Sequence, residues 1–256
     1  MIFHTFGNKG KPVAVLIHGM LTPWQIWENA AKCLSKDYYI IVPELDAHTE
    51  DEPSFFISVE DEANKIKEYI LTNNDANISL LCGLSMGGRI AATLAGLPGI
   101  AVENLVLDGA PLKAVPKPLI SIMKKNYKII IDKSKKRDSK TIESAKRDFI
   151  PEKYIPDYLM IADNMDEKSI DNAMDSIFSK FEIKKYENVN RILFMHGTKG
   201  NESVSKKSAL KMKEFNPQTE IKCFNGYAHA ELLCFKENEW ITEVQSWLKK
   251  TKTESR

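Results

Sequence analysis

The chain has 256 residues, 43% of them hydrophobic and 28% charged, with a formal net charge of +1. That composition supports a large core and excludes global disorder, and the near-zero charge gives no reason to expect nucleic acid as a partner. The length fits one α/β domain of ordinary size.

In chain order, short apolar runs alternate with longer segments of helical periodicity, the pattern of a parallel sheet covered by helices. Ile2–Phe6 is a first strand, turned by Gly7, Asn8, Lys9 and Gly10. VAVLI at 13–17 is a fully buried strand, Ile26–Leu34 a helix and YIIV at 39–42 the next strand. Val59–Leu71 sets Ala63, Ile66 and Ile70 on one helical face, and ISLLC at 78–82 is another buried strand. Arg89–Leu97 is a helix of small residues and Leu105–Leu107 a strand. Between 112 and 188, strand patterns give way to lysine-rich helical ones punctuated by Pro116, Pro118, Pro151 and Pro156. Strand signals resume with RILFM at 191–195 and Glu220–Phe224, so 112–188 reads as a helical insertion over the sheet's carboxyl edge, within a core of 1–111 and 189–256. Glu239–Lys249 is an amphipathic helix with Trp240, Ile241, Val244, Trp247 and Leu248 inward.

Cys33, Cys82, Cys223 and Cys234 form no CxxC or Cys/His ligand pattern, and two of them sit in apolar runs, which points to reduced, buried thiols. Met1–Phe6 lack a basic stretch ahead of an apolar run, and no apolar run approaches the ~20 residues of a membrane span. The expected location is cytoplasmic.

The segment that carries chemistry is Gly83-Leu84-Ser85-Met86-Gly87-Gly88, directly after a buried strand and directly before a helix. A strand-to-helix turn sharp enough to expose Ser85 strains its backbone, and only small residues such as Gly83 and Gly87 avoid clashes two positions either side. The new helix then aims its first N–H groups, that of Met86 above all, at an oxyanion developing beside the serine. G-x-S-x-G alone is a weak signal, since it also fits a glycine turn in a dinucleotide-binding unit; the loop lacks the G-x-G-x-x-G spacing such a unit needs.

VLIHGM, IIVPELDAH, LCGLSMGGRIA, LVLDGAP, RILFMHGTKG and FNGYAHAEL together resemble the α/β-hydrolase superfamily, and are similar to its carboxylesterase and lipase-like members with a helical cap. The resemblance covers both ends and the middle of the chain, leaves 112–188 unmatched, and PELDAH is a degraded version of its motif. It implies an α/β-hydrolase fold, a mostly parallel central sheet flanked by helices, with a cap insertion and a Ser-His-acid triad. It makes Ser85 the nucleophile, His229 the base and the Met20 amide the second oxyanion donor beside Met86. His18 is expected to brace the loop, His4 to lie in the first strand, His48 to shape the site and His196 to end a strand.

The acid stays open. Where the family presents an Asp after the strand RILFMHG, this chain has Gly200; Glu202 lies two residues on, and Asp108 ends another strand from which some members supply the acid. Both satisfy the chain order Ser, acid, His, and Glu202 is the first choice, with Glu231 behind both. Glu44, Asp46 and His48 read as loop architecture, and neither a metal nor another cofactor is expected.

From Lys113 to Lys140 the sequence carries a net +8, on an amphipathic pattern of Leu119, Ile122, Met123, Tyr127, Ile130 and Ile131. A cap helix with its apolar face on the site and its lysines in water explains this, and contact with an anionic membrane surface or an acidic acyl substrate is the alternative. The expected activity is hydrolysis of a small-molecule carboxylic ester with a small or medium-chain acyl group, through an acyl-enzyme. Carbon–carbon or thioester hydrolysis, lyase chemistry and a non-catalytic ligand-binding role remain as rivals on the same scaffold. The sequence does not define an oligomeric state.

Overall fold

The computed structural model describes residues 1–50 and 54–254. Its strands are β1 (Ile2–Phe6), β2 (Val13–Ile17), β3 (Tyr39–Glu44), β4 (Asn77–Leu84), β5 (Ala101–Asp108), β6 (Val189–His196) and β7 (Thr219–Cys223). They form one sheet in the order β1-β3-β2-β4-β5-β6-β7. β1 runs antiparallel to β3 at one edge, and every other pairing is parallel. β2 is buried along its whole length, as a parallel strand covered on both faces must be, which is why it reads as an unbroken apolar run.

The chain steps from β2 outward to β3, then back past β2 to β4. Right-handed crossovers moving in opposite directions put α1 (Glu28–Leu34) and α2 (Val59–Asn73) on opposite faces of the sheet. α1 packs with α10 (Glu237–Glu254), where Trp27 and Trp240 meet edge to face at 5.0 Å, and α2 packs with α3 (Met86–Ala95). The reversal between β2 and β4 opens a crevice beyond their carboxyl ends, the place where sheets of this kind bind ligands. Register aligns that edge: Ile17 lies beside Gly83, Leu84 beside Asp108, and Asp108 beside Met195.

Between β5 and β6 the chain forms a helical insertion, with α4 (Lys117–Lys135), α5 (Ser139–Asp148), α6 (Ile155–Asn164) and α7 (Glu167–Phe178). Pro116 precedes α4, while Asp138 and Asp166 cap α5 and α7 by accepting from the N–H groups of Thr141 and Ser169. Arg89, fully buried on α3, grips both ends of the insertion's stem: its guanidinium donates to Pro111 O at 3.1 Å, to Ser179 O at 3.2 Å and to Ser179 Oγ at 2.8 Å. Burial lowers the Arg89 pKa to about 10, which leaves it charged at neutral pH. Val115 N–H donates to Phe178 O at 3.1 Å and joins the stem's two strands of chain.

Several of the insertion's cations are held by acids on neighbouring helices. Lys124 pairs with Asp175 at 2.7 Å, Lys128 with Glu167 and Asp171 at 3.1 Å, and Arg137 with Asp163 at 2.6 Å. Among the described residues, no helix is long and apolar enough to cross a membrane. Cys82 and Cys234 are buried, whereas Cys223 at the end of β7 is exposed, and all four cysteines are free thiols.

The longest helix not foreseen follows β6. α8 (Glu202–Phe215) lies between β6 and β7, and its buried face consists of Glu202, Ser205, Ser208, Ala209 and Met212. Those residues recur at helical spacing, but three of the five are polar, so the apolar periodicity that betrays a helix is missing.

Candidate active site

Ser85 sits at the junction of β4 and α3 with φ 54° and ψ −115°, a conformation that a residue with a side chain adopts only when its surroundings enforce it. The enforcing contacts are visible. Ser85 N–H is tied to Asp108 O at 2.8 Å, and its own carbonyl accepts from Arg89 N–H at 3.1 Å. A methyl group on Gly83 would lie 2.2 Å from Gly87 O, and one on Gly87 would lie 2.3 Å from Ile17 O, so neither position admits a side chain. Met86 heads α3, so its N–H has no carbonyl partner within the helix.

The loop after β2 comes against the same serine: a Cβ on Gly19 would sit 3.3 Å from Ser85 Cβ, and Met20 and Ser85 line one cavity. Two histidines hold this loop in a reciprocal clasp. His18 Nε2 accepts from Leu45 N–H at 3.1 Å while its Nδ1 bonds Gly19 O at 2.9 Å. His48 Nε2 accepts from Leu21 N–H at 3.0 Å while its Nδ1 bonds Asp46 O at 3.0 Å. Each ring thus anchors the loop that the other belongs to. Burial keeps both neutral, lowering the His18 pKa well below its ordinary value and that of His48 to about 4. His4, by contrast, stacks on Trp24 and bonds Glu44 Oε2 at 2.9 Å, away from the serine. His196 is buried at the end of β6 and bonds Gly197 O at 2.7 Å.

His229 lies between β7 and α9 (Glu231–Phe235). Its Nε2 is 2.8 Å from Ser85 Oγ and its Nδ1 is 2.5 Å from Glu202 Oε1. Thr198 and Lys199 N–H both donate to Tyr227 O, at 2.9 and 3.0 Å, which docks the histidine turn on the loop leading to Glu202. Glu202 is itself fixed: Gly197 N–H donates to its Oε2 at 2.7 Å and Ser205 Oγ to its Oε1 at 3.3 Å. Burial pushes the Glu202 pKa up, but the hydrogen bond and charge of His229 and the donors from Gly197 and Ser205 outweigh it and hold the pKa below the ordinary value. A carboxylate so placed is ionised, fixes the histidine tautomer and supports an imidazolium.

Asp108 is close by but differently placed. It ends β5 one residue before Gly109, and a Cβ at Gly109, where φ is +63°, would lie 2.9 Å from His229 Cε1. Asp108 is 5% exposed, and its Oδ2 has no hydrogen-bond partner. Burial and the negative charge of Glu202 raise its pKa to about 7; the His229 charge and the Trp240 indole oppose this, though the indole closes no hydrogen bond of normal geometry. Glu231 takes a third role, accepting from Ala228 N–H at 2.8 Å and shaping the turn rather than touching His229. Glu202 itself is the first residue of α8.

A cavity of about 340 Å³ opens beside Ser85 and His229. Its far walls come from the insertion, among them Leu119, Met123, Tyr127, Phe149, Met174 and Ile177, and among the described residues no Asp, Glu, Lys or Arg lines it. Elsewhere, Asp46, Asp61 and Glu62 approach the spacing of a metal site, but the Lys65 ammonium stands among them, 2.6 Å from Asp61 and 3.8 Å from Glu62 and bonded to Asp46. The sequence missed Gly109, Gly197 and Ser205, which touch or orient His229 and Glu202. Gly109 and Gly197 each had a local signal, a glycine closing a strand, and Ser205 had none.

Comparisons with known proteins agree with this fold. The sequence profile of the α/β-hydrolase fold matches residues 12–147, more than half of the chain. An AB hydrolase superfamily protein of Gibberella zeae is 25% identical over 109 residues, which span 42% of this chain and 39% of that relative. The crystal structure of an α/β-hydrolase family protein from Desulfitobacterium hafniense superposes with a TM-score of 0.76 at 20% identity, over 96% of this chain and all of that one. An esterase from Exiguobacterium antarcticum does so with a TM-score of 0.71 at 19% identity, over 96% and 94% of the two chains.

Proposed function

The chain belongs to the α/β-hydrolase family, a family of hydrolases, and from that premise we propose that it is a serine esterase acting on neutral carboxylic esters with an apolar acyl group. The observation that carries this reading is the unbroken hydrogen-bonded line from Ser85 Oγ through His229 to Glu202, at 2.8 and 2.5 Å. In the proposed reaction Ser85 Oγ attacks the ester carbonyl as His229 Nε2 takes its proton, and Glu202 stabilises the resulting imidazolium. The Met86 and Met20 amides receive the oxyanion, His229 returns the proton to the departing alcohol, and water, activated by the same histidine, releases the acid. The apolar, uncharged lining of the cavity supports a neutral acyl group over an acidic one, because an anion there would lose its hydration without gaining a counter-charge. The fold likeness to the Exiguobacterium esterase is compatible with this substrate class.

A fluorophosphonate probe tests the reading. It should label the wild-type protein and fail to label Ser85→Ala, and p-nitrophenyl butyrate should be hydrolysed only by the former. Labelling that survives Ser85→Ala would place the nucleophile elsewhere.

A further inference from the structure

The Ser85 cavity ends on two aromatic side chains, Tyr127 of α4 and Phe149 just after α5, and a second cavity of about 450 Å³ begins on their other side. Both residues line both spaces, so their rings form a partition between them. Beyond it the walls are Ile130, Ala145 and the stems of Lys133 and Lys140, between α4 and α5. The acids at the rim are already occupied. Asp138 accepts from Thr141 N–H at 2.9 Å and from its hydroxyl at 2.8 Å, and Asp148 pairs with Arg147 at 2.5 Å. The rest of the lining includes apolar surface, with Ile129 and Ile130 each 41% exposed, and it adjoins the cavity that holds the serine through the shared Tyr127 and Phe149.

Resting on the reading of Ser85 as the nucleophile, we propose that the α4–α5 cavity is a distal acyl subsite, which makes long-chain esters substrates of this protein. The acyl chain lies in the first cavity from Ser85 to the partition, passes between Tyr127 and Phe149, and ends among Ile130 and Ala145. A long hydrocarbon chain is the occupant because it alone can fill both spaces through a narrow waist without presenting a polar group to either wall. The lysine stems cover its end while their ammonium groups stay in water.

The test compares kcat/KM for p-nitrophenyl dodecanoate and p-nitrophenyl butyrate, together with binding of 1-dodecanol by calorimetry. Ser144→Trp adds a bulky ring to the second cavity from an exposed position on α5, and Ala145→Trp does so from the buried side. Each variant that keeps the wild-type melting temperature should lower the dodecanoate-to-butyrate ratio about tenfold or more and weaken dodecanol binding. An unchanged ratio in Ser144→Trp, or a wild-type protein that hydrolyses butyrate but not dodecanoate, would overturn the subsite. Failure of the serine reading looks different: no fluorophosphonate labelling and no hydrolysis of either ester. The subsite is then judged on dodecanol alone, where binding lost in Ser144→Trp sustains it and absent or unchanged binding overturns it.

Discussion

Around Ser85 the polar atoms are bound at short range to backbone and to one another: Glu202 to Gly197, His18 to Leu45, His48 to Leu21, Ser85 to Asp108. In the insertion the polar contacts between helices are mostly ion pairs at the surface, such as Lys128–Glu167, whose carboxylate is 81% exposed, and Lys124–Asp175, at 65%. Exposed pairs of this kind contribute about 0–1 kcal/mol each, so apolar packing and the Arg89 clamp hold the insertion in place. The difference assigns separate jobs. On the proposed reading, the sheet edge fixes the positions of the few atoms that react, while the insertion supplies an apolar wall. Substitutions at the edge should therefore appear in kcat, and substitutions in the insertion should appear in substrate preference.

The harshest test of that division is Ser85→Ala, with an expected loss in kcat on the order of 10⁴-fold or more and an unchanged melting temperature, since triad members act as a unit. The strained elbow is enforced by Gly83 and Gly87, which remain, so the fold should not notice the missing hydroxyl. Residual ester hydrolysis within tenfold of wild type would break the comparison at its root.

Next in size is the contrast between the two buried carboxyls. Glu202→Gln should cost about 10³–10⁴ in kcat, because the neutral amide neither fixes the histidine tautomer nor supports its charge. Asp108→Asn should cost less than about tenfold, because no oxygen of Asp108 is hydrogen-bonded to His229. The reverse ranking in steady-state kinetics would transfer the acid's role to Asp108.

How far the sequence reaches follows the same line. The strands and the elbow were legible because their causes are local: apolar runs of strand length, and glycines at the two positions where a side chain would strike backbone. The placement of Glu202 against His229 was not, because Glu202 and Asp108 both follow or end neighbouring strands at the same edge and both fit the chain order. α8 hid behind its buried serines. Arg89 looked like one residue of a small helix, and nothing near it in sequence announces that Pro111 and Ser179 converge on its guanidinium. The histidine clasp was legible in part: His18 was expected to brace its loop, but its partners were not readable, since each hydrogen bond joins residues 27 positions apart.

Asp108 also offers a stability test. Its pKa in the folded protein is about 7, against about 3.9 in an unfolded chain. The sign follows from linkage: the folded state holds a proton that the unfolded state releases, so the stability this contributes is fully present below pH 4 and is lost as pH rises through about 7. Between pH 5 and 8 that loss is on the order of 2 kcal/mol, and Asp108→Asn, which carries no titrating group, should be spared it. Denaturant unfolding at the two pH values checks this. Glu62, whose pKa burial and the neighbouring Asp46 raise to about 8, contributes a slope of the same sign in both proteins, and the comparison subtracts it. Parallel pH dependences in wild type and variant would mean that Asp108 is ionised and partnered, and the edge less tightly organised than described.

The smallest expected effect lies in the insertion and bears most directly on its job. Met123 and Tyr127 lie one helical turn apart on α4 and both line the Ser85 cavity, and both are only partly buried. Truncating either to Ala removes contacts on one side of the chain's path without touching the elbow, the histidine or the acid. The stability cost should be about 1 kcal/mol for each, a shift in melting temperature of roughly 2–4 °C for a chain of this size. Preference among esters should move further than that. The ratio of kcat/KM for long to short acyl chains should rise several-fold for Met123→Ala, which deepens the first cavity, and more for Tyr127→Ala, which removes half of the partition to the second. A panel of p-nitrophenyl esters from acetate to dodecanoate, read alongside melting curves, separates these outcomes. A uniform fall across the panel would make α4 a brace for the catalytic edge rather than a wall for the substrate, and the two regions would then share one job.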